Sequence, residues 1–456
     1  MRKNEPYAIE MASREEVDEV LNRRIRSTAE LAYYHSQFWR RKFDQLGLKP
    51  EDIQNQESLL EANRKGLRIT KDELLRDFPS LVTDLVPDLY VEELWTSGST
   101  GLPRRTWYSK DDFKRSADQV KLLYNAMDLS PGDYVMNLFS PAPNASGALS
   151  KEAAKELGLH MVHISVRLTT EQILQLIKLR KPQSFWALNS RAYQIPAEMK
   201  ELGEDASKLG IESVLTGGEP STKNTKTVME RKWNAPVIDC LASCEISVFG
   251  YQTLNCGTDV MHAPENRLLL NFVDPKTLDP VSKEEKGIDL ISTLYDIDEK
   301  PAVILLGHSH GDLGRILDST ECNCGRTYKQ MEWPVFRNDY IVKIAGQNTY
   351  PVMGTEAAIV DSPFLTGEYT SITKGVSESS IRPYLEIRVE TRGPIPENER
   401  KKLEQKIWCY VISNPGAESI VNSNADFVLK FIERGRLYEG LEKYLKPGKP
   451  IRLIRM

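Results

Sequence analysis

The sequence predicts an α/β fold with a large N-terminal domain, built from mainly parallel sheets and flanking helices, and a small α+β C-terminal domain. Three observations lead to this prediction. Residues 1–90 have the hydrophobic period of helices. After Pro87, short apolar runs alternate with amphipathic stretches, which is typical of a parallel sheet. The last quarter of the chain then carries a shorter series of helices and strands.

Each element of this prediction comes from a hydrophobic pattern. Val17, Leu21 and Ile25 recur every four positions and therefore share one face of an N-terminal helix. The predicted sheet strands are the apolar runs 133–139, 161–166, 184–188, 213–215 and 236–241, with helices at 169–179, 191–202 and 222–233. From 266 to 316, short strands with Pro and Gly turns are expected. The C-terminal part is predicted as helix 352–359, strand 384–389, helix 397–410 and strand 427–432.

The composition narrows the class of protein. The 456 residues are 40% hydrophobic and 27% charged, which is ordinary for a globular chain and excludes disordered, collagenous and disulfide-knotted classes. The formal charge is −5 and the basic residues are scattered, so no nucleic-acid partner is expected. No apolar stretch approaches the roughly 20 residues that span a bilayer, and no secretory signal is evident. We therefore expect a cytoplasmic protein without a membrane partner, whose six cysteines are metal ligands or core residues.

The strongest local signal is a run of small and hydroxyl residues that ends at an arginine. The run consists of Thr96, Ser97, Gly98, Ser99, Thr100 and Gly101, with Arg104 after it. Such residues cannot form a core, but they allow backbone N–H groups and hydroxyls to converge on an anion. The P-loop pattern GxxxxGK[ST] is absent from the chain. On composition alone, a plain surface loop remains the alternative.

Further motifs follow this run in order along the chain. They are Leu215-Thr-Gly-Gly-Glu-Pro220, Leu241-Ala-Ser-Cys-Glu245, Gly311-Asp312, Arg337-Asn-Asp339, Gly346-Gln-Asn-Thr-Tyr-Pro351 and Gly448-Lys-Pro-Ile-Arg452. Together with the loop, they resemble the motifs of the adenylate-forming superfamily of acyl-CoA synthetases and adenylation domains. The surrounding sequence is similar to the phenylacetate–CoA ligase branch. The resemblance covers residues 96–452, which is most of the chain.

The resemblance implies ATP-dependent activation of a carboxylic acid through an acyl-adenylate, followed by transfer to coenzyme A. It implies that the loop residues Thr96 to Gly101, with Arg104, cradle the ATP phosphates. Gly217, Gly218, Glu219, Pro220, Leu241, Ala242 and Cys244 would surround the base and the α-phosphate, and Asp312 and Arg337 would hold the ribose. Glu245 would hold Mg²⁺, which prefers carboxylate and phosphate oxygens.

A lid is also implied by the resemblance. The motif at 337–339 corresponds to a hinge, which places the domains at 1–338 and 339–456. The C-terminal domain would be mobile and would carry Lys449 to the α-phosphate during adenylation. Lys449 would there neutralise the charge that grows between the carboxylate and the phosphate.

The sequence departs from the family pattern at the base. Leu241 stands where the family has a tyrosine that stacks on the adenine, and Cys244 replaces a hydroxyl residue. Leucine can cover a purine face by dispersion, and a thiol is a weak hydrogen-bond donor. We therefore expect a lower nucleotide affinity or a reshaped base pocket.

Two close pairs of residues predict a structural zinc site. Cys256 and His262 form C-x5-H, and Cys322 and Cys324 form C-x-C, which together could close a tetrahedral site. The alternative is two unrelated pairs, although the resembling branch carries a similar set. His308 and His310 beside Asp312 lack a third nearby ligand, so a second metal is not expected there. Solvent exposure is expected for them first, and contact with the nucleotide or acyl pocket is the alternative.

The acid and the acceptor are the least defined ligands. Phe185 and Trp186 could wall a pocket for an aryl or other apolar acid, or they could belong to the core. A small carboxylic acid, ATP and coenzyme A are the expected partners, and a homodimer is one possible assembly. The alternatives are a carrier protein, an amine or a cofactor as acceptor, and a degenerate, zinc-stabilised nucleotide-binding protein without catalysis.

Overall fold

The computed structural model describes most of the chain. The described residues are 9–86, 92–95, 105–139, 146–164, 168–219, 221–282, 284–317, 322–344, 347–374, 384–412, 426–444 and 450–456. Within them, no helix combines the length and the apolar character that a membrane crossing requires.

The N-terminal region is helical, as predicted. Its helices are α1 (Arg14–His35), α2 (Gln37–Leu46), α3 (Gln56–Lys65), α4 (Lys71–Arg76) and α5 (Phe78–Leu81). Helix α1 begins with a reciprocal cap in which the Ser13 side chain accepts from the Glu16 backbone and Glu16 accepts from the Ser13 N–H. The predicted face of Val17, Leu21 and Ile25 is buried.

A mainly parallel sheet forms the centre of the molecule, and its predicted strands are confirmed. A hairpin of β1 (Glu92–Trp95) and β2 (Arg105–Tyr108) precedes helix α6 (Lys110–Ala126). The sheet strands are β3 (Tyr134–Asn137), β4 (His160–His163), β5 (Ser184–Leu188), β6 (Ser213–Gly217), β7 (Val237–Ser243), β8 (Ser247–Tyr251) and β9 (Val260–His262), with β13 (Gln330–Glu332). They lie in the order β13-β9-β8-β7-β6-β5-β3-β4, and β3 to β7 run parallel.

Helices between these strands complete the α/β layer. They are α7 (Ser146–Leu157), α8 (Thr170–Arg180), α9 (Asn189–Glu201) and α10 (Lys223–Trp233). Because the strands are parallel, the carboxyl ends of β5, β6 and β7 lie side by side at one edge, where α/β proteins usually bind their ligands. Residues 189, 218 and 241 therefore follow one another across this edge.

A second, antiparallel sheet packs beneath the N-terminal helices. Its order is β10 (Leu268–Val273), β11 (Gly287–Thr293), β12 (Asp312–Gly314) and β14 (Phe336–Arg337). Apolar residues of β10 and β11 share one core cluster with α1, α2 and α3, including Leu21, Leu269 and Ile291. The short strands expected between 266 and 316 are thus present, and the sheet positions the turn before β12.

The C-terminal region is a separate α+β unit with its own core cluster. Its elements are β15 (Val342–Ile344), β16 (Gln347–Thr349), α11 (Pro351–Ile359), β17 (Leu365–Lys374), β18 (Tyr384–Thr391), α12 (Glu397–Val411), β19 (Asp426–Glu433) and β20 (Leu453–Arg455). The sheet order is β19-β18-β17-β20. Strands β17 and β20 were not among the predicted elements. Strand β17 is rich in Thr and Ser, and it is nevertheless central in its sheet, with Thr370 and Ser371 fully buried.

Candidate active site

The ends of β5 and β6 form the first wall of the candidate site. Gly217 pairs with Leu188 on one side and Cys240 on the other. A Cβ atom on Gly217 would lie 2.8 Å from the Cys240 carbonyl oxygen, so only glycine allows this approach. The next residue, Gly218, has a φ of +78°, which also favours glycine. Oε2 of Glu219 then accepts a hydrogen bond of 2.8 Å from the Ser190 N–H at the start of α9.

The connection from β7 to β8 carries Glu245. Ser243 and Ser247 pair across this tight turn, and Glu245 between them is buried. Leu241 is half-buried, Ala242 is exposed and Cys244 is half-buried. The Tyr108 hydroxyl on β2 donates to the Cys244 carbonyl over 2.7 Å, which fixes β2 against this turn.

The residues predicted as the phosphate loop connect two paired strands, β1 and β2. Trp95 of β1 pairs with Arg105 of β2, so the chain leaves and re-enters this hairpin at neighbouring positions. The predicted loop residues Thr96, Ser97, Gly98, Ser99, Thr100, Gly101 and Arg104 lie outside the described residues, as do Pro220 and Lys449. The contact of Tyr108 with Cys244 places the other end of the hairpin, where Tyr108 pairs with Glu92, beside the Glu245 turn.

The predicted ribose residues are brought together on β12 and β14. Asp312 and Arg337 are register partners, and Arg337 Nε lies 3.5 Å from Asp312 Oδ1. Burial and the neighbouring charge of Asp289 raise the pKa of Asp312, Arg337 partly opposes them, and the resulting pKa is about 6. Arg337 also contacts Asp339 over 3.2 Å. A carboxylate and a guanidinium side by side can accept from and donate to a pair of hydroxyl groups.

Two positions near Asp312 were not identified from the sequence. Asp289 on β11 accepts hydrogen bonds from the backbone N–H groups of Gly311 and Asp312, each over 2.9 Å. Lys71 of α4 donates to the His310 carbonyl over 2.9 Å and lies 4.0 Å from Asp339. The spacing of 23 residues between Asp289 and Asp312 carries no signal, because only the pairing of β11 with β12 joins them.

The prediction that His308 and His310 are exposed to solvent is wrong. Both side chains are buried, and their rings meet edge to face at 4.9 Å. His310 also stacks on Phe249 of β8 at 5.1 Å. Pairing of this segment with β11 turns both histidines into the core, because the Ile291–His308 bridge continues the sheet.

The aromatic residues proposed for the acid pocket lie in the core instead. Trp186 stacks on Tyr124 at 4.5 Å, and Phe185 contacts Trp233 at 4.8 Å. Both side chains are almost fully buried. Because residues alternate between the two faces of β5, one aromatic packs under the helices on each side. The core interpretation of this pair is therefore the correct one.

The four candidate zinc ligands converge, although they lie on separate segments. Their donor atoms are all within 4.8 Å of one another. Cys256 and Cys322 have their Sγ atoms 3.7 Å apart, and Cys324 Sγ lies 3.3 Å from His262 Nε2. His262 Nδ1 lies 3.0 Å from the Tyr328 carbonyl, so it donates there and turns Nε2 toward the thiols. A set of three sulfurs and one imidazole nitrogen fits a closed zinc site.

A polar cavity lies where the C-terminal unit meets the parallel sheet. Its walls include Asn189 and Glu219 from the strand ends, Thr225 from α10, and Glu356, Tyr369 and Arg452 from the C-terminal unit. Glu356 accepts from the Thr225 hydroxyl over 2.9 Å. Burial raises the pKa of Glu356 to about 7, partly opposed by Arg452. This contact was not predicted, since Thr225 and Glu356 are 131 residues apart and lie on different helices.

The amino-acid sequence of this chain is similar to those of phenylacetate–coenzyme A ligases. No family model matches it. It is 26% identical over 389 residues to the phenylacetate–coenzyme A ligase of Thermus thermophilus, which covers 85% of this chain and 84% of the relative. It is 27% identical over 364 residues to the enzyme of that name from Escherichia coli, with 79% and 80% covered.

Solved structures agree with this similarity in fold. A crystal structure of 2-hydroxyisobutyryl-CoA ligase in the postadenylation state matches with a TM-score of 0.80 and 19% identity, over 98% of this chain and 91% of that one. ATP-bound MatB from Rhodopseudomonas palustris matches with a TM-score of 0.53 and 14% identity, over 74% and 64%. The large parallel-dominated sheet and the smaller C-terminal unit are the shared architecture. The chain is thus similar over most of its length to phenylacetate–coenzyme A ligases, and it has the fold of the adenylate-forming acid–CoA ligases.

Proposed function

We propose that this enzyme activates a small carboxylic acid with ATP and transfers the acyl group to coenzyme A. The observation that carries the proposal is the convergence of Asp312, Arg337 and the strand-end residues Gly217 to Glu219 around one region. Half-buried Tyr340 lies near both groups, since the charges of Arg337 and Glu219 both affect the pKa of its hydroxyl. Sequence similarity to phenylacetate–coenzyme A ligases over most of both chains supports the same function.

In the first half-reaction, a carboxylate oxygen of the acid attacks the α-phosphorus of ATP, and pyrophosphate leaves. Asp312 and Arg337 would hold the ribose, and Gly217 and Gly218 would let the base approach the backbone. The buried carboxylate of Glu245 fits a Mg²⁺ ligand, and the ion would neutralise phosphate charge when bound. Lys449 would stabilise the charge that develops at the α-phosphate.

In the second half-reaction, the thiolate of coenzyme A attacks the acyl carbon, and AMP leaves. This step needs access for the thiol, which a movement of residues 339–456 as a lid would provide. The proposed boundary at 338/339 falls in the turn Asn338–Tyr340 that follows β14. An apolar or aryl acid is the proposed substrate class, on the strength of the names that the sequence relatives carry.

The convergent cysteines and histidine support a structural zinc site. Its ligands would join the segment after β8 to the segment before β13, at the edge of the sheet opposite β4. With four protein ligands, no position is open for chemistry. The proposed role is therefore to stabilise the fold, and no catalytic step depends on it.

Pyrophosphate release with a panel of aryl and aliphatic acids tests the proposed function. We expect acid-dependent release and a thioester product only when coenzyme A is added. Lys449→Ala should slow adenylation by about 10²–10³-fold while it spares thioester formation from a supplied acyl-adenylate. ATP binding without acid-dependent turnover would contradict the enzymatic proposal, and turnover that ignores coenzyme A would contradict the acceptor.

A further inference from the structure

One buried carboxylate holds the whole turn that carries Asp312. Oδ1 of Asp289 accepts from the backbone N–H groups of Gly311 and Asp312, each over 2.9 Å, and from the Ser309 hydroxyl over 3.0 Å. Oδ2 accepts from the His310 N–H over 2.9 Å and from His310 Nδ1 over 3.0 Å. Four consecutive residues therefore donate to a single side chain that is 1% exposed.

The charge of Asp289 persists despite its burial. Burial raises the pKa of Asp289, but the His310 ring and the backbone N–H groups of the turn outweigh this effect and lower the pKa to about 2. The carboxylate thus stays ionised at any physiological pH. Because the ionised carboxylate accepts at both oxygens and charge-assisted hydrogen bonds are the stronger ones, it can hold all five donors and make the turn rigid.

This turn fixes the direction of the Asp312 side chain. Gly311 adopts a φ of +82°, a conformation that favours glycine, and the Asp312 N–H is tied to Asp289. The His310 ring of this turn also stacks on Phe249, and Lys71 donates to the His310 carbonyl. With its backbone held from behind, the Asp312 carboxylate faces Arg337 on the neighbouring strand.

We propose that Asp289 is a positioning residue for nucleotide binding, which acts through the turn to set how Asp312 meets the ribose 2′- and 3′-hydroxyls. The inference rests on the proposed function, in which Asp312 holds the ribose. Asp289 itself is enclosed by the turn and touches no substrate. Its removal should therefore weaken only that part of the affinity which depends on the hydroxyls.

The test compares ATP with 2′,3′-dideoxy-ATP in wild type and in Asp289→Asn. Asparagine keeps the size of the side chain but removes its charge and turns an amide toward the N–H donors. Hydrogen bonds to a charged group contribute about 1.5–3 kcal/mol, so we expect wild type to prefer ATP by about 10–100-fold. In Asp289→Asn, the preference should fall to about threefold or less, with the dideoxy affinity little changed.

Asp274→Asn is the matched control. Asp274 also uses one carboxylate oxygen to bind successive backbone N–H groups, those of Lys276 and Thr277 at 2.8 and 2.9 Å, but in an exposed turn after β10. This variant should keep the wild-type preference. Ser309→Ala, which removes one donor to Asp289, should lower the preference partially and provides a milder variant if Asp289→Asn does not fold.

Each outcome decides the proposal. An equal loss of affinity for both nucleotides in Asp289→Asn would overturn the positioning role alone. A full preference for ATP in folded Asp289→Asn or in Ser309→Ala would do the same. A wild-type enzyme that binds both nucleotides equally would overturn the ribose role of Asp312 and this inference with it. A preference that collapses in Asp289→Asn and persists in Asp274→Asn supports the proposal.

Discussion

Among the described residues, two clusters bring potential metal ligands equally close together, but one is built on thiols and the other on carboxylates. In the thiol cluster (Cys256, His262, Cys322 and Cys324) and in the acid cluster (Asp289, His310 and Asp312), the donor atoms lie within 4.8 Å of one another. In the thiol cluster, the ligand atoms face each other. In the acid cluster, the Asp289 oxygens already accept from the backbone and from His310.

The difference shows that proximity alone does not identify a metal site. A carboxylate whose lone pairs accept N–H donors is a structural anchor, since a cation would have to displace those donors. Soft thiolates that point at one imidazole nitrogen are instead the ligands that zinc prefers.

The largest effect should come from the thiol cluster. We expect one equivalent of zinc in the purified protein, and its loss in Cys322→Ser/Cys324→Ser. Because a structural zinc contributes directly to folding, the double variant should lose several kcal/mol of stability, on the order of a 10 °C drop in Tm. Metal analysis and thermal unfolding measure both quantities. Cys409→Ser, an exposed cysteine on α12, is the control and should leave them unchanged. Zinc retained by the double variant would contradict the assignment.

The acid cluster should give the next effect, on binding rather than on folding. Asp312→Asn removes the negative charge beside Arg337 and replaces one acceptor oxygen by an NH2 donor, while it keeps the backbone N–H that Asp289 binds. We expect KM for ATP to rise by about 10–100-fold, with zinc content and Tm close to wild type. Steady-state kinetics with metal analysis on the same sample tests this. A drop in zinc content would show that the two clusters are coupled, and would contradict separate roles in nucleotide binding and in folding.

The sequence reveals these clusters unequally. The thiol cluster is predictable because cysteine and histidine at short spacing are rare outside metal sites. Only one residue of the acid cluster could be predicted: Asp312 belongs to a motif, whereas Asp289 becomes its partner through the pairing of β11 with β12. The parallel strands were predictable from apolar runs, but β17 was not, because its buried Thr and Ser side chains carry no apolar period.

The pH dependence of nucleotide affinity should come from the acid cluster. The pKa of Asp312 is raised to about 6, so this carboxyl is ionised at pH 7 and becomes protonated as the pH falls through 6. If the ionised form binds the ribose, affinity for ATP should fall by up to about tenfold between pH 7 and pH 5. Titration of ATP binding over this range measures the effect. Asp312→Asn should have a flatter profile, and an identical slope in both proteins would rule out Asp312 as its source.

A third acid, Glu356, gives the smallest predicted effect. Asp289 is fully buried among backbone donors, whereas Glu356 is half-buried. Its partners are the hydroxyls of Thr225 and Tyr369, and the charges of Arg452 and Glu219 lie nearby. Burial raises its pKa to about 7, so the folded protein holds this proton more tightly than the unfolded chain does.

The sign of the resulting stability effect is opposite to that of Asp289. The contribution of Glu356 is fully present below the unfolded pKa of 4.5 and is lost as the pH rises through about 7, when a charge must form at the interface with α10. Stability should therefore fall by about 1 kcal/mol between pH 6 and pH 8 in wild type, and this component should be missing from Glu356→Gln. Denaturant unfolding at the two pH values measures it. Glu397→Gln at the exposed start of α12 should retain the wild-type slope. If Glu356→Gln also loses stability between pH 6 and pH 8, the Glu356 carboxyl is not neutral in the folded state. Hydroxyl donors such as Thr225 would then be enough to keep this acid ionised, as the backbone N–H groups do for Asp289.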